Sequence, residues 1–245
     1  KVLVKTSNEE SANKELKSIR QTLQNQEESH YHELFRPGVK SIMWMGIILA
    51  IFQQITGINT VMYYAPKIFS QIGQNTDAAL LQTIAIGGTN LIFTIIGMLV
   101  IDRIGRKSLI LIGSIGMMIM LLALCTIYFL NMATAHLVLI FILGYIAFFA
   151  ASLGPALWVV VSEIFPNRLR NKGMSIAVVG LWIACTIVTI AFPVMLKALS
   201  GGITFLIFAL ICGINIWYVA NYVPETKGKT LEELEKELIR KNNHS

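Results

Sequence analysis

Charge is scarce in this sequence. Asp, Glu, Lys and Arg make up only 14% of its 245 residues, while 55% are hydrophobic. Soluble domains carry about 25% charged residues. The shortage excludes an ordinary water-soluble domain and leaves a bilayer as the place for the apolar excess. Cysteine is scarce too. Cys125, Cys185 and Cys212 lie inside apolar runs, without metal-ligand spacing. They read as small packable hydrophobes, which excludes a disulfide framework. No catalytic residue, metal or cofactor is expected. No Asp, Glu, Lys or Arg falls in the middle of any apolar run. A charge at the bilayer centre is costly and marks an ion pathway, so this chain offers no intramembrane group to titrate a proton. His136 sits near a connection and reads as solvated. An initiator Met and a signal-peptide pattern are also lacking, and Lys1 opens a polar stretch. The chain is therefore expected to be a piece of something longer.

What is present is six apolar runs, at about 42–64, 82–101, 109–130, 137–161, 174–196 and 203–223. Each approaches the ~20 residues needed to cross ~30 Å of hydrocarbon. The expectation is an all-α membrane protein with a six-helix bundle over 41–223. Residues 1–40 read as a cytoplasmic amphipathic linker. Ser7 and Glu10 form a capping box there, with Leu16, Ile19 and Leu23 at helical spacing. Residues 224–245 read as a cytoplasmic helix and tail, with a second capping box at Thr230 and Glu233.

The net charge of +6 reflects basic residues gathered in short connections. That placement is a topology signal, not a nucleic-acid footprint. Eighteen of the 20 Lys and Arg fall in 1–40, 102–108, 162–173 and the tail, and the other side holds only Lys67 and Lys197. Both ends of the segment are therefore expected in the cytoplasm, in a multi-pass plasma (bacterial inner) membrane protein. An even number of crossings follows.

The first run carries the most chemistry. Ile48, Ile51, Ile55, Ile58 and Met62 form one apolar stripe. Gln53, Thr56, Gly57, Asn59, Thr60, Tyr63 and Tyr64 project to the other side. Neutral amides in a span either glue a bundle by interhelical hydrogen bonds or bind a polar, uncharged ligand. Gln53, Gln54 and Asn59 offer donors and acceptors together, which suits a polyol better than an ion. Asn90, Thr94 and Gly97 share a face of the second run, where packing is the commoner role. The fourth run holds Gly154 and Pro155, a point of helix kinking. Trp158 follows, as an interfacial belt residue or a pocket wall. Trp182 lies nearer the middle of its run, favouring packing or a pocket lining. In the loops, Asp102, Arg103 and Arg106 are matched by Glu163, Arg168 and Arg170. Such charges are either a solvated surface or an ion-pair latch.

Four stretches carry a resemblance to a known family. They are QQITGIN with the following YY, DRIGRK, GPALWVVVSEIFP with Arg168 and Arg170 after it, and PETKGKTLEELE. Together, in this order, they resemble the sugar porters of the major facilitator superfamily. The nearest likeness is to bacterial xylose-, arabinose- and galactose-proton symporters. The resemblance spans the whole chain. It implies the second half of a twelve-helix carrier and the linker before it, with an N-terminal six-helix half as partner. It implies that Gln53, Gln54 and Asn59 hydrogen-bond a sugar, and that Asn90, Trp158 and Trp182 line its pocket. Tyr63 and Tyr64 belong to the outer gate, and Asp102, Arg103, Arg106, Glu163 and Arg168 to a cytoplasmic ion-pair latch.

Three departures stand out. Lys107 ends the DRIGRK loop where the family has Arg, which keeps the charge. Leu181 replaces the Gln that precedes the second pocket Trp in xylose transporters, which counts against xylose. Ala150 stands where mammalian-type glucose carriers have an acid. The symporters' proton-coupling Asp lies in the other half. The resemblance therefore implies sugar transport by alternating access with the proton as coupling ion. A facilitative uniporter, a non-transporting sugar receptor of the same fold and a folded membrane fragment stay open beside it.

Overall fold

A computed structural model describes residues 31–36, 39–71 and 76–228. The two expected capping boxes and their helices lie outside those residues. Of the linker, Tyr31–Phe35 forms one short 3-10 turn, with Leu34 and Glu33 buried.

The apolar runs fold into α1 (Val39–Ile55), α2 (Ile58–Gln71), α3 (Thr76–Ile104), α4 (Arg106–Phe129), α5 (Ala135–Ala151) and α6 (Leu153–Ile164). Continuous helix then covers Arg170–Tyr222, 53 residues in all. Among the described residues, five helical stretches are long and apolar enough to cross a membrane. The last of them is two crossings. At ~1.5 Å per residue it would reach ~80 Å, more than twice the hydrocarbon thickness. Ser200 breaks it, with φ 71° and ψ 165°, giving α7 (170–199) and α8 (201–222). The chain turns back on itself there. The Tyr128 ring, at the end of α4, lies 5.6 Å from that of Phe205 near the start of α8. Lys107, at the start of α4, donates its Nζ to the Ala220 carbonyl near the end of α8 at 2.8 Å. The helices α4 and α8 are thus antiparallel, and the described residues make six crossings.

Two crossings are broken part-way along their length. The first run reads as continuous in sequence but divides at Thr56–Gly57. Gly57 has φ +91°, and a Cβ there would sit 2.7 Å from the Phe208 ring. Only glycine meets both conditions. The fourth run divides at Ser152 (φ −131°, ψ −86°), three residues before Pro155. The proline therefore falls in the first turn of α6, where its missing N–H leaves no gap. In lipid, backbone groups at such breaks must find partners within the protein. The Tyr145 hydroxyl, fully buried, donates to the Thr56 carbonyl at 3.0 Å. Gln53 Nε2 donates to the Leu153 carbonyl at 3.0 Å. The two breaks are tied to each other.

The core lies between these broken crossings and the α7–α8 pair. Phe192 and Phe208 stack at 6.1 Å, and Tyr64 meets Phe192 at 5.5 Å. Outward faces stay apolar. Leu81, Ile84, Leu91, Ile95 and Leu99 on α3 are exposed, as are Ile183, Ile187, Ile190 and Val194 on α7. In water this would be an aggregation surface. In lipid, burial of such side chains against protein brings no hydrophobic gain.

Candidate functional site

The break at Thr56–Gly57 sorts the polar residues of the first crossing. Helix α1 brings Gln53 and Gln54 to its last turn, and α2 brings Asn59 to its first. Gln53 and Gln54 are buried, and Asn59 is half-buried. Gln53 faces α6 and is tied to the Leu153 carbonyl. That bond joins α1 to α6. Gln54 faces the other way, and its Oε1 accepts from Asn59 Nδ2 at 2.7 Å. The same nitrogen lies 3.6 Å from Cys185 Sγ on α7. Adjacent glutamines thus play different parts.

The remaining expected residues lie around this pair. Asn90 is half-buried on α3, and its carbonyl accepts from Thr94 Oγ1 at 2.7 Å. Trp158 is half-buried on α6 and packs on the core. Trp182 stands 55% exposed at the edge of the open face of α7. No hydrogen bond among the described residues joins these three to the amide pair. Tyr63 and Tyr64 divide as the glutamines do. Tyr63 is exposed, while Tyr64 packs on Phe192 with Lys67 Nζ 5.8 Å from its ring centre.

The charged residues gather at one end of the bundle. Arg106 pairs with Asp102 at 3.0 Å and with Glu163 at 3.1 Å, joining α3, α4 and α6. Arg103 enters through its carbonyl, which accepts from Lys227 Nζ at 2.7 Å. Arg168 stands apart and pairs with Glu33 of the linker turn at 3.2 Å. Among the described residues the ion-pair partner of Glu163 is Arg106, not Arg168.

With this geometry in view, the comparisons decide the family. The pattern of the "Sugar (and other) transporter" family matches residues 1–238. The chain belongs to that family. It is 37% identical over 236 residues to the arabinose-proton symporter of Bacillus subtilis, covering 96% of this chain and 51% of the relative. It is 43% identical over 200 residues to the D-xylose-proton symporter of Escherichia coli K12, covering 79% of this chain and 40% of the relative. Among solved structures, the proton:xylose symporter XylE bound to 6-bromo-6-deoxy-D-glucose superposes with a TM-score of 0.77 at 38% identity. It covers 93% of this chain and 48% of that one. The chain spans about half the length of these relatives. Its fold is a six-helix half of a major facilitator superfamily protein.

One residue of this chain was not singled out by its sequence. Glu225, just past α8, places its carboxylate on the first turn of α4. Its Oε1 accepts from the Arg106 N–H at 2.9 Å and its Oε2 from the Lys107 N–H at 3.1 Å. A carboxylate here satisfies orphan amides and meets the positive end of the helix dipole. Gly105, with φ +98°, has no Cβ to block it. The only sequence signal was an acid in the PETKG stretch, and its partners on α4 lie more than a hundred residues away. Two apolar grooves, of about 370 Å³ between α4 and α8 and about 340 Å³ among α3, α4 and α5, contain none of the expected site residues. Their walls are almost wholly apolar, so they suit acyl chains better than a polyol.

Proposed function

We propose that this chain forms the second half of a monosaccharide carrier that works by alternating access. An N-terminal six-helix half completes the pocket and supplies the proton site, making the whole a sugar-proton symporter. The observation that carries this reading is the part-buried Gln54–Asn59 amide pair on either side of a mid-membrane helix break. Uncharged donors and acceptors at that depth suit a polyol, and discontinuous helices are where carriers place their sites. Relatives named as arabinose- and xylose-proton symporters support the sugar class and the coupling. Gln54 and Asn59 are the sugar's hydrogen-bond partners in this reading. Asn90, Trp158 and Trp182 complete the pocket, and Tyr63 and Tyr64 form the outer gate.

The test is uptake. With both halves present in sealed vesicles, a radiolabelled pentose or hexose should enter saturably, and sugar addition should draw protons from an unbuffered medium. Sugar entry without proton movement would leave a uniporter. Saturable binding without entry would leave a receptor, and neither binding nor entry would overturn the sugar reading altogether.

The charged end of the bundle is cytoplasmic in this proposal, because eighteen of the 20 basic residues lie in segments on that side. A single cysteine in place of Lys229 should then react only after permeabilisation. Labelling from outside in sealed cells would invert the topology.

A further inference from the structure

The carboxamide of Asn59 is committed on its nitrogen side. A primary amide has two N–H donors. Nδ2 gives one to Gln54 Oε1 at 2.7 Å and the other to Cys185 Sγ at 3.6 Å. The thiol is not isolated either. Its Sγ lies 3.9 Å from Thr189 Oγ1, one turn along α7. A chain of four side chains therefore runs from α1 through α2 to α7, across the break at Gly57. Asn59 Oδ1 and Gln54 Nε2 have no partner among the described residues. The pair turns one acceptor oxygen and one donor NH₂ to whatever binds there.

Gln54 alone does not fix that arrangement. Two facing carboxamides can flip together, so that Gln54 Nε2 donates to Asn59 Oδ1. The oxygen and nitrogen ends are nearly the same size. Something outside the pair must choose. We propose that Cys185 is a positioning residue that locks Asn59 with its oxygen toward the substrate. Either atom of the Cys185–Thr189 contact could be the donor; in the proposed lock the thiol gives its hydrogen to Thr189 Oγ1, and the sulfur then presents only lone pairs to Asn59. The flipped amide would set its oxygen against them. This corner of the site thereby requires a sugar hydroxyl that donates. The proposal rests on the sugar-carrier reading and adds to it a residue whose composition-level role is plain packing.

The test uses analogues of the transported sugar in which one hydroxyl at a time is replaced by fluorine or hydrogen. Fluorine can accept weakly but cannot donate. Binding is measured in the protein with both halves present. In the native protein, at least one position should lose about tenfold in affinity with fluorine, as with hydrogen, because a donated hydrogen bond is gone. In Cys185→Ala the amide pair can flip, and the fluorine penalty at that position should shrink to less than threefold. Cys185→Ser keeps an acceptor at the same place and should restore it. Thr189→Val leaves the sulfur but frees its hydrogen, and should relax the penalty part-way. Unchanged fluorine penalties in Cys185→Ala or Thr189→Val would overturn the lock. No saturable binding by the native protein is a different failure, that of the carrier reading itself.

Discussion

Residue scale shows how neighbours in sequence part company. Gln53 and Gln54 were legible as amides near the middle of one run, with Gln53 on its polar side. Their division of labour was not, because the partner of Gln53 lies a hundred residues along the chain and the break at Gly57 is what sets Asn59 against Gln54. Gln53 meets the Leu153 carbonyl, and Gln54 meets Asn59. Two substitutions should therefore behave oppositely. Gln53→Leu removes a buried hydrogen bond between α1 and α6 and should destabilise the bundle by about 0.5–1.5 kcal/mol, with sugar affinity of the folded fraction near native. Gln54→Ala should leave the melting temperature near native and weaken sugar binding roughly tenfold. Thermal unfolding in detergent, with and without sugar, reads both quantities. If Gln54→Ala lost stability and kept affinity, Gln54 would be glue and the site would lie elsewhere. Cys185 was equally opaque. Its apolar surroundings pointed to packing, and only the fold puts its sulfur beside Asn59.

At the scale of elements, hydropathy predicted where helices lie but not where they break. The first run shows unbroken apolar periodicity, yet Gly57 adopts a positive φ and divides it. A lone glycine in a helical pattern is an ambiguous signal. The turn from α3 into α4 was clearer, since DRIGRK marks it with charge, but its cap was hidden. Glu225 closes the first turn of α4 from the far end of the chain. Glu225→Ala removes a charged cap, an effect of about 0.5–2 kcal/mol. Gly105→Ala forces a side chain into the left-handed region, at about 1–2 kcal/mol. It also sets a Cβ 2.7 Å from Glu225 Oε2. Each should speed hydrogen exchange at the amides of Arg106 and Lys107. Because both break one contact, the double variant should exchange little faster than Gly105→Ala alone. Additivity within about 0.3–0.5 kcal/mol is the mark of independent sites, and finding it would show that Gly105 and Glu225 act separately.

On the scale of the whole molecule, the all-helical membrane fold was readable because the bilayer imposes it. Apolar length and loop charge are one-dimensional signals. The charge cluster at the end of the bundle is three-dimensional, and only its membership could be guessed. Asp102, Arg106 and Glu163 do meet, while Arg168 goes to Glu33. Glu163 keeps one buried carboxylate oxygen, Oε2, without a hydrogen-bond partner among the described residues. In the carrier proposed above, that oxygen would receive a cation from the other half when the cytoplasmic side closes. Partly exposed pairs contribute only about 0–1 kcal/mol each, but ~1.4 kcal/mol shifts a two-state ratio tenfold. A weak latch can therefore govern which way a carrier faces. Glu163→Gln, with both halves present, should raise the inward-open population. Transport should slow, while sugar affinity measured from the cytoplasmic side holds or improves, since Gln54 and Asn59 are untouched. A single cysteine facing the pocket should then react faster with a reagent added on the cytoplasmic side. The competing role is local: Glu163 holds Arg106 and so steadies the α3–α4 turn, with no bearing on the other half. In that case the variant would loosen the turn, and hydrogen exchange at the start of α4 would rise. Unchanged reactivity of the pocket cysteine alongside faster exchange at the turn would assign Glu163 to the turn and remove it from the latch.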